Sequence, residues 1–127
     1  MVERTDFSLE ANVDLANHRL IKMSGGKAVY NTATSIDNPI GVSKLNAKTG
    51  EYISVHPMNK EGSVEITAAG AIGQGEDVFA AADGKIQALP VAAGNYRRIG
   101  LAMAGASGDG SIIEILPYGY TDIVTVS

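Results

Sequence analysis

Apolar and polar residues alternate without a fault over residues 7–15: Phe7, Leu9, Ala11, Val13 and Leu15 fall on one side, Ser8, Glu10, Asn12 and Asp14 on the other. A helix would gather Phe7, Ala11 and Leu15 and throw Leu9 and Val13 onto the opposite side, so the period of two predicts an extended strand. With one apolar and one acidic face, that strand serves either as an edge of the protein's own sheet or as an arm reaching onto a neighbouring subunit. Beyond it, short runs rich in Val, Ile, Tyr and Phe are separated by Gly25-Gly26, Gly50, Gly62, Asp83-Gly84, Gly94-Asn95 and the glycine-rich stretch 105–110. Asp-Gly and Gly-Gly suit primed hairpin turns, because both central residues take positive φ. Strands of about 5 residues between such turns predict an all-β chain, a small β-barrel or sandwich of short hairpins with little helix. Alanine runs at 68–71 and 80–82 favour a helical turn, but Gly70, Gly73, Gly75 and the Asp83-Gly84 pair cut them short.

One internal echo stands out. Pro39-Ile40-Gly41-Val42, a polar loop to Gly50 and then EYISV is matched by Arg98-Ile99-Gly100-Leu101, a small-residue loop to Gly110 and then SIIEIL. Two copies do not make a solenoid. Either the two strand-loop-strand elements face each other across one small barrel, or a common hairpin pattern recurs by chance. The chain divides into an extended arm or edge strand (1–16), a β-rich body (17–118) and a strand-like tail (119–127), in which Ile123, Val124 and Val126 are positioned to pair across a subunit boundary.

Composition narrows the function. At 127 residues, 45% hydrophobic and only 6% aromatic, the chain holds one domain with a core of small side chains. A net charge of -4 repels a phosphate backbone, and Arg97-Arg98 is too small a basic point for a nucleic-acid footprint. No stretch approaches the roughly 20 apolar residues that span a bilayer. The first 20 residues carry Glu3, Asp6, Glu10 and Asp14 with no apolar core, so no secretory signal is expected. Zero cysteine removes disulfides, thiolate metal sites and cysteine nucleophiles together.

Catalytic chemistry finds little to stand on. The available bases, His18 and His56, fall in no hydrolytic or metal-ligating motif, and Ser107 lacks the strand-to-helix elbow of a serine nucleophile. Glu76-Asp77 and the Glu61, Glu65 pair lie where solvated turns and strand faces are expected. The glycines at 70–75 lead into two acids rather than the lysine a phosphate cradle wants. Catalytic, cofactor and metal sites are therefore expected to be absent. The run GQGEDVFAAADGKIQAL has the look of a biotinyl or lipoyl hairpin with Lys85 as the modified residue, but Gly84 and Ile86 replace the flanks that those carriers use.

The order AAGAIGQGEDVFAAADGKIQAL, a short linker, then RRIGLAMAGASGDGSIIEIL resembles the capsid cement, or head-decoration, proteins of tailed bacteriophages. Gly70, Gly75, Val78, Phe79, Asp83, Gly84 and Lys85 fill the family's first hairpin. Ile99, Gly100, Ala102, Ala106, Gly110, Ile113, Ile115 and Leu116 fill its second. The resemblance implies a structural virion protein without enzymatic activity or cofactor, often trimeric, that binds the major capsid protein on the outer surface of the expanded shell after assembly in the host cytoplasm. Phe7, Leu9, Ala11, Val13 and Leu15, with Ile123, Val124 and Val126, are the candidate contacts to capsid or sister subunit, through strand addition at a sheet edge.

Overall fold

A computed structural model describes residues 7–33, 38–58, 62–119 and 122–127. About half of them lie in two antiparallel sheets. The first holds β1 (Phe7–Glu10), β2 (Leu20–Ser24), β3 (Lys27–Tyr30), β4 (Gly41–Ser43) and β5 (Tyr52–Pro57) in the order β1-β5-β4-β2-β3. The second holds β6 (Val64–Thr67), β7 (Asp77–Ala80), β8 (Ile86–Gln87), β9 (Gly94–Ala102) and β10 (Ile112–Pro117) in the order β6-β10-β9-β7-β8, and β11 (Ile123–Val126) adds to β9. Helix among the described residues is confined to a 3-10 turn at Ala82–Gly84. Gly25 and Gly26 take φ of 60° and 77° between β2 and β3, the primed turn that Gly-Gly predicts.

The two strand orders are the same permutation, so the second half of the chain repeats the topology of the first. The hydrogen bonds repeat with it. Gly50 N–H donates to Ala11 O at 2.9 Å, and Gly110 N–H donates to Ala68 O at 2.9 Å. Ile21 pairs with Gly41 and Gly41 with Pro57; Val78 pairs with Gly100 and Gly100 with Pro117. The echo seen in the sequence is thus one stretch of a duplicated five-stranded unit. Its two copies do not face each other across one barrel; each sits in its own sheet.

Each sheet curls because its edge strands meet at a single parallel bridge, Ala11 to Ala28 in the first half and Ala68 to Ile86 in the second. Neither is a closed barrel. A methyl side chain at Ala11 and Ala68, both fully buried, allows the backbones to approach there. Inside each curl lies an apolar cluster. Ala11, Leu15, Ile21, Ala47, Ile53 and Val55 occupy in the first the places of Ala68, Ile72, Val78, Ala106, Ile113 and Ile115 in the second. The strand expected over residues 7–15 is correspondingly shorter: it ends at Glu10, and the chain then crosses the curl so that Leu15 bridges Ala47.

The halves join asymmetrically. Leu20 and Val42 on the outer face of the first sheet, and Met58 in the connection, are buried in the second cluster. Thr67 N–H donates to His18 O at 2.8 Å, and Gly84 N–H to Asn31 O at 2.9 Å. Gly84, at φ 70°, lies so close to the Leu20 carbonyl that a Cβ would sit 2.5 Å from it.

Two substitutions test the duplication. A Cβ at Gly41 would collide with the His56 carbonyl, and one at Gly100 with the equivalent Leu116 carbonyl. Gly41→Ala and Gly100→Ala are each expected to lower the unfolding free energy by about 1–3 kcal/mol in denaturant titrations. His18 holds a left-handed φ of 56° where the repeat places Gly75, φ 85°, and each donates its N–H at 2.8 Å to the matching carbonyl, of Ser43 or Ala102. A side chain in that region costs about 1 kcal/mol, so His18→Gly should stabilise the protein by up to that amount and Gly75→Ala should destabilise it.

Candidate interaction surfaces

The N-terminal segment is the outer strand of the first sheet. Phe7 pairs with Val55 and Leu9 with Ile53, and both side chains are half-buried against the first cluster. Ala11 and Leu15 are buried in that cluster, while Val13 is exposed. The polar face carries Ser8, which is exposed, and Glu10, which pairs with Lys27 at 3.0 Å across the gap to β3. Asp14 accepts from the Thr49 N–H at 2.9 Å and its hydroxyl at 3.1 Å, and these bonds, the backbone one foremost, hold its carboxyl below the usual range. Residues 1–6, and Tyr120 and Thr121 of the tail, lie outside the described residues.

The C-terminal strand pairs with the chain's own β9, Ile123 opposite Arg97 and Val126 opposite Gly94. Ile123 is exposed, Val124 and Val126 are half-buried, and no residue of the strand is fully covered. Val124 joins Phe79, Ala88, Leu89, Arg98, Glu76 and Asp77 around a shallow depression of about 310 Å³.

Arg98 fixes the entry to this strand. Its guanidinium lies 3.1 Å from Asp122 and 3.4 Å from Asp77, and over the ring of Tyr118, whose hydroxyl donates to Asp77. The Arg98 N–H also donates to Asp122 O at 2.9 Å. Two carboxylates, one guanidinium and a phenol thus clamp the bend between β10 and β11 onto β7 and β9.

The two histidines, distant in sequence, come to one groove of about 530 Å³ between the sheets, with Glu65, Glu114 and Ser63 on its other wall. Glu65 and Glu114 are register partners, and the Ser63 hydroxyl donates to Glu114 at 2.6 Å. Among the described residues no group of three or more acids and histidines could hold a metal ion. Lys85 does not project from a hairpin tip as a carrier lysine would. Its Nζ lies 2.8 Å from Asp109, and its side chain, beside the buried Gly84, is only one-fifth exposed. That bond holds the Asp109 carboxyl below its usual range.

The surface that sequence reasoning missed is the outer face of the second sheet, where Met103 and Leu116 stand 42% and 41% exposed near Leu101. The alternation of β10 held the signal, since Ile112, Glu114 and Leu116 all point away from the core.

The Asp77 hydrogen bond, the largest influence, raises the Tyr118 hydroxyl above the ordinary tyrosine value of about 10. A raised value means that the bond contributes at neutral pH and is lost as pH rises through it. The tyrosinate absorbance titration should therefore contain a component above pH 10 that Tyr118→Phe and Asp77→Asn each abolish. An unchanged curve in either variant contradicts the bond.

The sequence matches the family model of phage cement proteins over residues 3–116. No curated protein matches the chain. Among solved structures the fold is similar to the head fiber gp8.5 N base of bacteriophage phi29, with a TM-score of 0.71 at 17% sequence identity over 91% of this chain and 95% of that one. The chain belongs to the phage cement protein family, and its role is a structural one at the phage capsid.

Proposed function

We propose that this protein binds the outer surface of the mature, expanded phage head and stabilises it, acting as a homotrimer seated on the major capsid protein, with neither nucleic acid nor membrane as partner and without catalysis. Assembly takes place in the host cytoplasm. The observation that carries this reading is the family match across 114 of the first 116 residues, from 3 to 116. Exposed terminal positions support it: Val13 in the crossing after β1, and Ile123 with the half-buried Val124 and Val126 on β11, offer apolar contacts.

A cement must bind the assembled shell more strongly than scattered subunits. That follows when its footprint spans capsid chains that meet only after expansion, so geometry acts as the switch. In a trimer, three modest contacts act as one, because the second and third form at high effective concentration once the first has docked. Binding the expanded lattice alone then stabilises that lattice by mass action.

Co-sedimentation with expanded and unexpanded shells tests the reading. At least tenfold tighter binding to expanded shells is expected, together with a higher temperature of shell disruption in its presence. Equal binding to both maturation states, or none to either, overturns it.

A further inference from the structure

The duplication leaves one surface of the second half without the partner that its counterpart has in the first. In the first half, the outer face formed by His18–Leu20, Val42–Lys44 and His56 is crossed by β6: Ser63, Val64 and Glu65 line the groove against it, and Thr67 N–H donates to His18 O. Repeat equivalence places Gly75, Glu76 and Asp77 at the positions of His18, Arg19 and Leu20. The paired registers Leu20–Val42–His56 and Asp77–Leu101–Leu116 place Leu101 and Leu116 at those of Val42 and His56. Lys44 N–H donates to Ser54 O as Met103 N–H donates to Glu114 O, so Met103 stands where Lys44 does. Where Leu20 and Val42 are buried, their counterparts Asp77 and Leu101 are half-buried; Leu116 is exposed where His56 is half-buried, and Met103 puts an exposed apolar side chain at the place of the exposed Lys44. Among the described residues no backbone N–H reaches Gly75 O, the counterpart of the His18 carbonyl.

The strand that would cover this surface by the same rule is the repeat counterpart of β6, which is β1. Each chain carries one β1, at the outside of the first sheet with Ser8 exposed, and one outer face on the second sheet where Met103 and Leu116 are exposed. The chain cannot bring its own β1 there, because β1 is held to β5 by four register pairs and closes the first curl at Ala11.

We propose that the outer face of the second half formed by the Gly75 carbonyl, Leu101, Met103 and Leu116 is the docking surface for β1 of a second copy of this chain, repeating between chains the relation that joins the two halves within one. The contact is head-to-tail, so it makes a ring when the rotation closes. This inference rests on the homotrimer reading and names its interface. Ser8 of one copy then faces Met103 of the next, as Glu65 and Lys44 line the same groove within the chain. The exposed apolar side chains explain why the surface favours a protein partner.

Because the protein has no cysteine, the pair Ser8→Cys with Met103→Cys reports on the contact alone. Mild oxidation should give covalent oligomers up to a closed trimer on non-reducing gels, whereas either single variant should not. Met103→Glu with Leu116→Glu should raise the self-association constant for dissociation at least tenfold in sedimentation equilibrium, with an unchanged far-ultraviolet spectrum. An oligomeric wild type whose double glutamate variant keeps the same mass, or whose cysteine pair gives no cross-linked species, overturns this surface and leaves the trimer standing. A monomeric wild type at every concentration overturns the trimer and the surface together.

Discussion

Each half of this protein depends on a sheet being brought back onto itself at one small residue. A five-stranded sheet with one apolar face has two problems, a face to cover and two edges to protect. The crossing after β1, and again after β6, solves both, because the chain lays Ala11 or Ala68 against the opposite edge strand and drops Leu15 or Ile72 into the curl. A larger residue at the bridge would hold the edges apart and open the cluster to water. Small side chains in a chain with few aromatics are a requirement of this geometry: backbones approach closely at Gly41, Gly84 and Gly100, and the clusters fill with Ala, Val and Ile.

Duplication also accounts for features that in isolation suggest chemistry. The left-handed His18 reads as strain at an active site until Gly75 is seen in the equivalent place, where the turn demands positive φ. Gathering His18, His56, Glu65 and Glu114 into one groove follows from laying β6 over the outer face of the first sheet. The polar cluster at Arg98 secures the bend after β10, where the second half ends and the chain turns back to pair with β9. These groups organise surfaces, which accords with a structural role at the capsid.

Affinity in such a protein depends on the number of contacts made together rather than on any single pocket. A shallow depression by Val124 and exposed side chains at Met103 and Leu116 are weak sites singly. Presented in fixed relation on a rigid β scaffold, they gain strength from simultaneous engagement.

Class and punctuation were legible in the sequence by itself: alternation over residues 7–15, the Gly-Gly and Asp-Gly turns, and the near absence of helix each follow from local rules. The echo between residues 39–55 and 98–116 was legible because Gly41 and Gly100 meet the same kind of carbonyl contact, which a Cβ would crowd. The rest of the duplication was not. Outside that stretch the halves share residue class more than identity, with Phe7 opposite Val64 and Leu15 opposite Ile72, and their outer faces diverge because one is buried and the other open. Leu20-Ile21 reads as a continuous apolar pair since both faces of β2 are covered there, whereas the equivalent Asp77-Val78 sets a half-buried acid beside a buried valine. Which strands meet at the bridges, and which face the second half covers, depends on contacts between residues far apart in the chain. Only the tertiary structure decided these, because a local pattern fixes a strand's two faces but not what is packed against them.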